Sequence, residues 1–302
     1  MKDLMKLVED KLPVSGFDFL AIGVINFTSG KFETIEANLI DSKVVLNNKK
    51  DTFFDLASLT KPLTNSLGYF LRKESFTEEM LLCLNHRGGL PAWGLLARDS
   101  WKKQILNYPI SSSATLYSDF SALRVMLEFN KKLDLKKECQ TIWDKETLNW
   151  LDLPSGVCTP QYGYRHAQPN IGVVHDPNAF VIHEFCSHAG LFSTIEGLCK
   201  TLLNYQNKTG FISEVKSDLA KHSHRFSFGW DRVENPETTL AGKGCGKFTF
   251  GHLGFTGTSI WIDPDKMIGH IILSNATKEY WYAKDKLNEI RRIAGELIWN
   301  EY

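Results

Sequence analysis

The sequence lacks a charge bias, a long apolar run and any repeated segment. Its 35 Lys and Arg residues balance 35 Asp and Glu residues, so the formal net charge is zero. A chain without an excess of positive charge gives no electrostatic signal for nucleic acid or for an acidic membrane surface. No apolar stretch approaches the roughly 20 residues that a membrane-spanning helix needs. We therefore expect neither a nucleic-acid partner nor a membrane span.

The chain also lacks the cysteine spacings and the leader that are typical of secreted proteins. Its six cysteines lie far apart, and no CxxC pair occurs among them. Residues 1–10 have the pattern of a short amphipathic helix, without the apolar region and small-residue cleavage site of a signal peptide. We expect reduced thiols and a cytoplasmic location for the chain as written, while export as part of a longer precursor stays open.

No HExxH or paired CxxC zinc motif is present, although one segment is rich in histidine. Residues 166–188 hold Asp176 and Cys186 together with four histidines, His166, His175, His183 and His188. Imidazole and thiolate groups at short spacing are zinc ligands, so a metal-dependent hydrolase built on this cluster is one alternative. The spacing fits no standard zinc motif. We predict instead a loop that borders a cleft, with no metal and no cofactor.

What the chain does contain is a Ser-Leu-Thr-Lys tetrad at residues 58–61. Residues three apart are neighbours on a helix, so a neutral Lys61 can accept the proton of the Ser58 hydroxyl. If Ser58 opens the helix, the helix dipole and the backbone N–H of Ser58 favour a developing oxyanion. On spacing alone, an N-cap serine beside a solvated lysine is the alternative. Two further segments favour the catalytic interpretation.

The first of these segments is Tyr117-Ser118-Asp119, which precedes the amphipathic run at residues 122–127. Tyr117 is a candidate for a second proton-handling group, with its pKa lowered by Lys61. Ser118 or Asp119 is a candidate to hydrogen-bond Lys61 or a substrate amide. Either residue also fits as the N-cap of the helix that follows. Both roles are compatible, because a cap fixes the direction in which Tyr117 points.

The second segment runs from residue 250 to residue 264. Beta-branched and aromatic residues follow a glycine-rich start, which predicts an inner strand. The glycines at 251, 254 and 257 allow another backbone or a ligand to come close. His252 is a candidate to give a hydrogen bond or a positive charge to a substrate carboxylate or to the Tyr117 oxygen. A bulged edge strand with a half-buried histidine is the alternative.

Together these segments resemble the penicillin-recognising serine hydrolases, a superfamily that contains serine beta-lactamases, D-Ala-D-Ala peptidases and related esterases. Its sequence marks are S-x-x-K, an S-D-N or Y-x-N element, and K-T-G. Residues 58–61 match the first mark, Tyr117–Asp119 the second with Asp for Asn, and His252–Gly254 the third with His for Lys. The resemblance is to the class C beta-lactamase-like branch and extends over residues 50–276, with further similar segments at 86–91, 172–179 and 188–193.

The resemblance implies a serine hydrolase that forms an acyl-enzyme from an ester or amide, such as a D-Ala-type peptide, a beta-lactam or a small ester. The catalytic residues that it implies are Ser58, Lys61, Tyr117 and His252. The substrate-binding residues that it implies are Asp119, Gly254, Phe255 and Thr256, with the N–H of Phe255 in the oxyanion hole. The partner is then a small molecule or a peptidoglycan-type peptide, and the oligomeric state stays open. A non-catalytic binding or scaffolding relative of the same fold is the alternative.

Two departures from the family pattern bear on the substrate. Histidine titrates near neutrality, so His252 in place of Lys makes the local charge depend on pH. Asp119 in place of Asn adds negative charge beside Lys61, which raises the pKa of Lys61 and makes it a poorer base. Both changes favour an ester or small amide over efficient beta-lactam turnover.

The periodicities predict an α/β (α+β) chain in which an antiparallel sheet is flanked by N- and C-terminal helices. We expect residues 1–70 and 185–302 to form this α/β domain and residues 71–184 to form an inserted all-helical lobe. The active site would lie between the two, as in the beta-lactamase and transpeptidase-like fold that the resemblance implies. Helices are predicted near 77–84, 119–131, 137–150, 194–206, 212–221 and 281–299. Strands are predicted near 17–27, 31–39, 226–233, 247–252, 257–263 and 267–275.

Overall fold

The computed structural model describes residues 1–47, 49–279 and 284–302. Its α-helices are α1 Lys2–Lys11, α2 Leu67–Leu71, α3 Glu78–Leu84, α4 Trp101–Asn107, α5 Asp119–Phe129, α6 Leu135–Gln140, α7 Pro177–Ile182, α8 Ile195–Thr209, α9 Phe211–Leu219 and α10 Asp285–Glu301. Its strands are β1 Phe19–Asn26, β2 Lys31–Ile40, β3 Lys43–Leu46, β4 Phe54–Asp55, β5 Thr147–Asn149, β6 Gln161–Arg165, β7 Gln168–Ile171, β8 Leu191–Ser193, β9 Phe226–Ser227, β10 Trp230–Arg232, β11 Phe250–Gly254, β12 Thr258–Asp263 and β13 Ile268–Ser274.

An eight-stranded antiparallel sheet forms the centre of the molecule, in the order β3-β2-β1-β13-β12-β11-β10-β9. The N-terminal strands β1–β3 thereby join the C-terminal strands through the β1–β13 pair, which brings Leu20 opposite Ser274. Strands β12 and β13 are buried along their whole length. The predicted antiparallel sheet is confirmed, and β11 with its glycine-rich sequence is an inner strand.

Helices α1 and α10 pack side by side on one face of the sheet. Both are amphipathic, and their buried side chains form one apolar cluster with alternate residues of the central strands. Lys11 of α1 and Glu289 of α10 add an ion pair with 2.6 Å between nitrogen and oxygen. The predicted packing of the first and last segments is confirmed. The predicted start of the last helix, at 281–283, lies outside the described residues.

The opposite face of the sheet carries a larger apolar cluster, which extends from α8 and α9 to the elements between residues 71 and 184. Within that stretch the expectation of an all-helical lobe is wrong, because it also contains β5, β6 and β7. The predicted helix at 137–150 is α6 alone. Residues 147–149 leave the helical path because they pair with β8, a partner some 45 residues away that no local pattern shows. The division into an α/β domain and an insert stays a prediction.

A close approach between α10 and the loop before β11 fixes the helix on the sheet. A Cβ added to Gly295 would lie 1.9 Å from the carbonyl oxygen of Ala241, well inside van der Waals contact. Buried Trp299, one turn further along α10, donates a hydrogen bond from its ring nitrogen to the same oxygen at 2.7 Å. Glycine at 295 therefore allows α10 to reach the loop at the edge of the cleft described below.

We predict that Gly295→Ala lowers the free energy of unfolding by about 1–3 kcal/mol, because the extra methyl group overpacks a backbone contact. Urea denaturation of the variant measures the loss. The exposed neighbour Glu296 provides the control, since Glu296→Ala is expected to change stability by less than about 0.5 kcal/mol. Equal stability of the two variants would show that α10 does not depend on this close contact.

Candidate active site

The turn that carries Ser58 is strained just before the serine. Strand β4 ends at Asp55, and Ala57 adopts a φ of +46°, in the left-handed region that costs an alanine free energy. A 3-10 turn over Ala57–Leu59 then leads into a helix whose middle, Pro62–Ser66, is π-helical. The wider π turn accommodates Pro62, which has no N–H to donate. Strain of this kind is typical of functional sites, and here it leaves the half-buried Ser58 facing a cleft.

Lys61 is buried directly behind Ser58 and is surrounded by oxygen atoms. Its Nζ lies 3.0 Å from Ser58 Oγ, 3.0 Å from the carbonyl oxygen of His188 and 2.7 Å from Asp119 Oδ1. Burial alone would lower the pKa of Lys61, but the Asp119 carboxylate outweighs it and raises that pKa above its usual range. Lys61 is thus an ammonium group in the resting site, as its pairing with Asp119 predicted.

Asp119 and Ser118 divide the two roles that the sequence left open. Ser118 is the N-cap of α5, where its Oγ accepts a hydrogen bond from the N–H of Ser121 at 2.9 Å. The Ser118 hydroxyl also donates to the carbonyl oxygen of Pro91 at 2.6 Å. Asp119, the first residue of the helix, is left to face Lys61. The cap therefore sets the direction of the Asp119 carboxylate and of the preceding Tyr117.

Tyr117 lies beside Ser58 and Lys61, and Lys61 Nζ is 4.9 Å from the centre of its ring. Its ring packs against His86, with centroids 4.7 Å apart, and against Phe226, at 6.0 Å. The desolvated surroundings raise the pKa of Tyr117, although the charge of Lys61 opposes this shift. The predicted lowering of that pKa is wrong, because the loss of water around the phenol outweighs the nearby ammonium.

His252 lies on β11 beside Tyr117, with ring centroids 5.8 Å apart. Its Nδ1 lies 2.9 Å from the carbonyl oxygen of Leu253, so Nδ1 carries the proton and Nε2 is an acceptor. Nε2 is buried without a hydrogen-bond partner among the described residues. Burial, and then the charge of Lys61, lowers the pKa of His252 to about 3. The expected titration near neutrality is wrong, since His252 is neutral at physiological pH.

The remaining residues of the predicted site, on β11 and in the turn that follows it, lie next to Ser58. A Cβ on Gly254 would be 2.6 Å from the carbonyl oxygen of Leu56, so glycine allows β11 to approach the Ser58 turn. The hydroxyl of Thr256 donates to the carbonyl oxygen of Asp55 at 2.7 Å. Phe255 points its ring into the cleft and is 43% exposed. The structure therefore brings all eight predicted site residues together.

The histidine-rich segment borders this cleft but does not form a cluster of ligands. Nε2 of the buried His188 lies 2.9 Å from Asp176 Oδ1, and that carboxylate raises the pKa of His188 to about 10 against the effect of burial. His175 packs on the ring of Phe255, and His183 packs edge-on against Trp150. Within residues 1–47, 49–279 and 284–302, no three His, Cys, Asp or Glu side chains are grouped to hold a metal ion.

Two cavities meet at Ser58 and share Ser58, Tyr117 and Phe255 as lining. We name the first, of about 340 Å³, the basic arm, because it is lined by Arg225, Lys284 and Arg291. We name the second, of about 300 Å³, the aromatic arm; its other lining residues include Trp93, Asp119, His175 and Asp176. A substrate whose reacting carbonyl contacts Ser58 would extend into both arms.

Comparisons with known proteins bear on the family and the fold of this chain. A family model described as Beta-lactamase matches residues 148–294. A protein of Escherichia coli O157:H7 that carries the provisional name D-alanyl-D-alanine carboxypeptidase is 37% identical over 116 residues, which are 34% of this chain and 26% of that protein. A class C beta-lactamase from Rhodobacter sphaeroides superposes with a TM-score of 0.63 at 15% identity, over 97% of this chain and 99% of its own. These findings support the likeness to the penicillin-recognising serine hydrolase superfamily that the motifs indicate.

Other solved structures share the fold over nearly the whole chain. Crystal structures of SurE, one of them with D-Leu, each superpose with a TM-score of 0.62 over 96% of this chain and 75% of theirs. Their identities are 15% and 14%, so this likeness concerns the fold. The matched part of this chain spans about a quarter of the carboxypeptidase-named relative. No helix among the described residues is long and apolar enough to cross a bilayer.

The sequence analysis did not identify the three cations that line the basic arm. Arg225 forms a two-pronged ion pair with Asp231, at 2.9 and 2.7 Å. Lys284 donates to the carbonyl oxygen of Phe255 at 2.6 Å, and burial lowers its pKa to about 8. Arg291 is 3% exposed, and burial lowers its pKa to about 9. Its position on the inner face of an amphipathic helix was the one available signal, because an arginine there is unusual.

Proposed function

We propose that this protein is a serine hydrolase that cleaves esters or amides bearing a carboxylate, through an acyl-enzyme on Ser58. The observation that carries the proposal is the contact between Ser58 and the buried Lys61, on a strained turn at the meeting point of two cavities. A nucleophile needs a neighbouring proton acceptor and room for its substrate. The family shares this chemistry, but the substrate does not follow from membership.

In the proposed acylation step, Ser58 Oγ attacks the substrate carbonyl and a tetrahedral oxyanion forms. The backbone N–H groups of Ser58 and Phe255 stabilise that oxyanion. The leaving group accepts a proton as the carbon–heteroatom bond breaks, and the acyl group stays on Ser58. A water molecule then attacks the ester and restores the serine. Gly254 supports this geometry because a side chain there would push β11 away from the Ser58 turn.

The proton of Ser58 needs an acceptor, and Lys61 is an ammonium group at rest. We assign the acceptor role to the Lys61–Asp119 pair as a unit. Lys61 takes the Ser58 proton while it passes one of its own to Asp119, across 2.7 Å. The pair is neutral at rest and carries one positive charge after it has accepted the Ser58 proton, and this charge balances the negative charge that forms on the buried oxyanion. Tyr117, which lies beside Ser58 and Lys61, delivers a proton to the leaving group and regains one from Lys61, and Asp119 returns its proton to Lys61.

The basic arm supports a substrate with a carboxylate. Arg291 is almost fully buried, and no carboxylate among the described residues forms an ion pair with its guanidinium. Its guanidinium donates to the carbonyl oxygen of Thr258 at 2.7 Å and to Asn288 Oδ1 at 3.2 Å, while its Nε has no partner among the described residues. A buried cation without a counter-ion is costly, and an anionic ligand relieves that cost. A short peptide or peptide-like amide with a free carboxylate fits, and the carboxypeptidase-named relative supports it.

We predict that Ser58→Ala abolishes turnover of p-nitrophenyl esters and of D-Ala-type peptides, because it removes the attacking oxygen. Intact-protein mass spectrometry after mixing with benzylpenicillin and with an aryl ester gives an independent readout. The native protein should gain the mass of the acyl group, and Ser58→Ala should gain none. Thr60→Ala changes a buried residue two positions after Ser58 and controls for general damage to the helix.

Two outcomes would contradict the prediction in different ways. Hydrolysis that survives in Ser58→Ala would assign the chemistry to another group, and its loss on chelation would favour the metal-dependent alternative. A native protein that neither turns over nor is acylated, yet binds peptides with a free carboxylate, would favour the non-catalytic binding relative.

We predict that Asp119→Asn makes activity strongly dependent on pH. The wild-type Lys61–Asp119 pair transfers its proton internally, so kcat for a neutral ester should be flat between pH 7.5 and 9.5. Without the carboxylate, Lys61 must lose its proton to solvent, and kcat should then rise with pH by up to tenfold per unit. A variant with wild-type kcat and a flat profile would rule out the pair as the acceptor. Asp119→Glu, which keeps the carboxylate, should retain the flat profile.

We predict that Arg291→Gln raises KM about 10-fold or more for a carboxylate substrate. The neutral glutamine lacks the buried positive charge that attracts the anion. The matched methyl ester or amide of the same substrate should show an unchanged KM. Leu240→Ala, which changes the lining of the same arm without removing a charge, is the control. An equal change for charged and neutral substrates would mean that Arg291 only supports the fold.

A further inference from the structure

We infer that Asp55 is a positioning residue that holds the Ser58 turn and the His175 segment together across the aromatic arm. The inference rests on the proposed function, since it concerns how the nucleophile Ser58 and the walls of the aromatic arm are held in place. Asp55 touches no substrate atom in this scheme and acts through the backbone on either side of it. Its side chain is fully buried at the end of β4, three residues before Ser58.

The two carboxylate oxygens of Asp55 bind two different segments. Oδ1 accepts a hydrogen bond from the backbone N–H of Ala57 at 2.8 Å. Oδ2 accepts one from the backbone N–H of His175 at 2.7 Å. Both distances are typical of charge-assisted hydrogen bonds. Because residues 57–58 form one wall of the aromatic arm and residues 175–177 form another, one carboxylate sets the distance between the walls.

The backbone of Asp55 extends the same network to the turn after β11, which carries Phe255. Its carbonyl oxygen accepts a hydrogen bond from the hydroxyl of Thr256 at 2.7 Å, next to Phe255. Its N–H donates to the hydroxyl of the buried Tyr162 at 3.0 Å. Asp55 is therefore bonded to the Ser58 turn, to the His175 wall of the aromatic arm and to the residue next to Phe255, the second proposed oxyanion donor. Ala57 keeps its left-handed conformation only while such bonds compensate its strain.

Only an ionised carboxylate can serve both N–H groups with both oxygens. In Asp55→Asn the amide nitrogen is a donor, so one of the two buried N–H groups would face another donor and lose its acceptor. A protonated Asp55 has the same defect on its hydroxyl side. The structure thus couples the geometry around Ser58 to the charge of a group that is not in the cleft.

The surroundings of Asp55 make this charge sensitive to pH. Burial raises the pKa of Asp55 to about 7, partly offset by its two backbone hydrogen bonds. The charged groups that face it are Asp176, which raises that pKa further, and Arg165, which lowers it. The pKa is above the usual value, so the charged form exists above about pH 7 and is lost as pH falls through that value. Activity that depends on the charged form should therefore decline on the acid side of neutrality.

The experiment compares Asp55→Asn with wild type in hydrolysis of a neutral p-nitrophenyl ester over pH 5.5–8. We expect the wild-type kcat to fall toward tenfold per pH unit below an apparent pKa near 7. In Asp55→Asn we expect kcat at pH 8 to fall about 100-fold, the effect of a reacting group displaced by roughly 1 Å, with little change in KM and no acid limb. His252, His175 and His188, with pKa values of about 3, 4 and 10, titrate outside this limb.

Asp263 supplies a matched control. It is 1% exposed and also accepts buried backbone hydrogen bonds, from Gly246 at 2.8 Å and Asp265 at 2.9 Å, at the other end of β12. Asp263→Asn should lose stability but keep the wild-type kcat per folded molecule and the acid limb. Were Asp55→Asn to behave like this control, the inference would be overturned.

Two further results keep the inference separate from the proposed function. If Asp55→Asn does not fold, the wild-type profile decides, because a flat kcat across pH 5.5–8 would overturn the inference on its own. If Ser58→Ala retains the ester hydrolysis of wild type, the proposed function fails and Asp55 has no nucleophile to position. If Ser58→Ala loses hydrolysis and the wild-type kcat does not change between pH 5.5 and 8, the proposed function stands and only the role of Asp55 is overturned.

Discussion

The ammonium group of Lys61 is the point on which the rest of the site depends. It joins three segments that are far apart in sequence, through Ser58 of its own helix, Asp119 at the start of α5 and the backbone of His188 before β8. A buried cation needs all of these partners, because each missing one would leave charge desolvated and uncompensated. Helix α5 and the 172–190 segment therefore have to lie at fixed positions relative to Ser58. The same requirement that stabilises the fold thus fixes the geometry of the candidate nucleophile.

Much of this arrangement could be predicted from the sequence where the signal is local. Runs of apolar, β-branched and aromatic residues within 17–39 and 257–275 predicted β1, β2, β12 and β13, and the S-x-x-K spacing predicted the Ser58–Lys61 contact. The inner strands were predictable because a strand that is buried on both faces is rich in such residues along its whole length. The motifs were predictable because each places side chains within one helical turn or one strand.

What the sequence did not show depends on contacts between distant segments. Strand β5 exists because it pairs with β8, and its residues on their own continue a helical pattern. The pKa values of Tyr117 and His252 depend on how much water the surrounding chain excludes, which no motif records. Asp55 is an acidic residue in a buried strand, and only the approach of the His175 segment gives its second oxygen a partner. Each miss is a case in which tertiary structure overrides a local preference.

The replacement of Lys by His in the third motif changes where the cleft carries positive charge, and the motif alone does not show where that charge lies. His252 is neutral and presents an unpartnered acceptor, so this position offers a substrate no positive charge. The positive charge of the cleft comes instead from α10 and the segment before it, through Arg291 and Lys284. Arg291 stays at least partly charged up to its pKa of about 9, so the basic arm attracts anions throughout the physiological range, where a histidine would have switched off. The cleft therefore has positive charge although position 252 carries none, which supports the proposed carboxylate substrate and leaves Asp119 as the one departure that favours an ester or small amide.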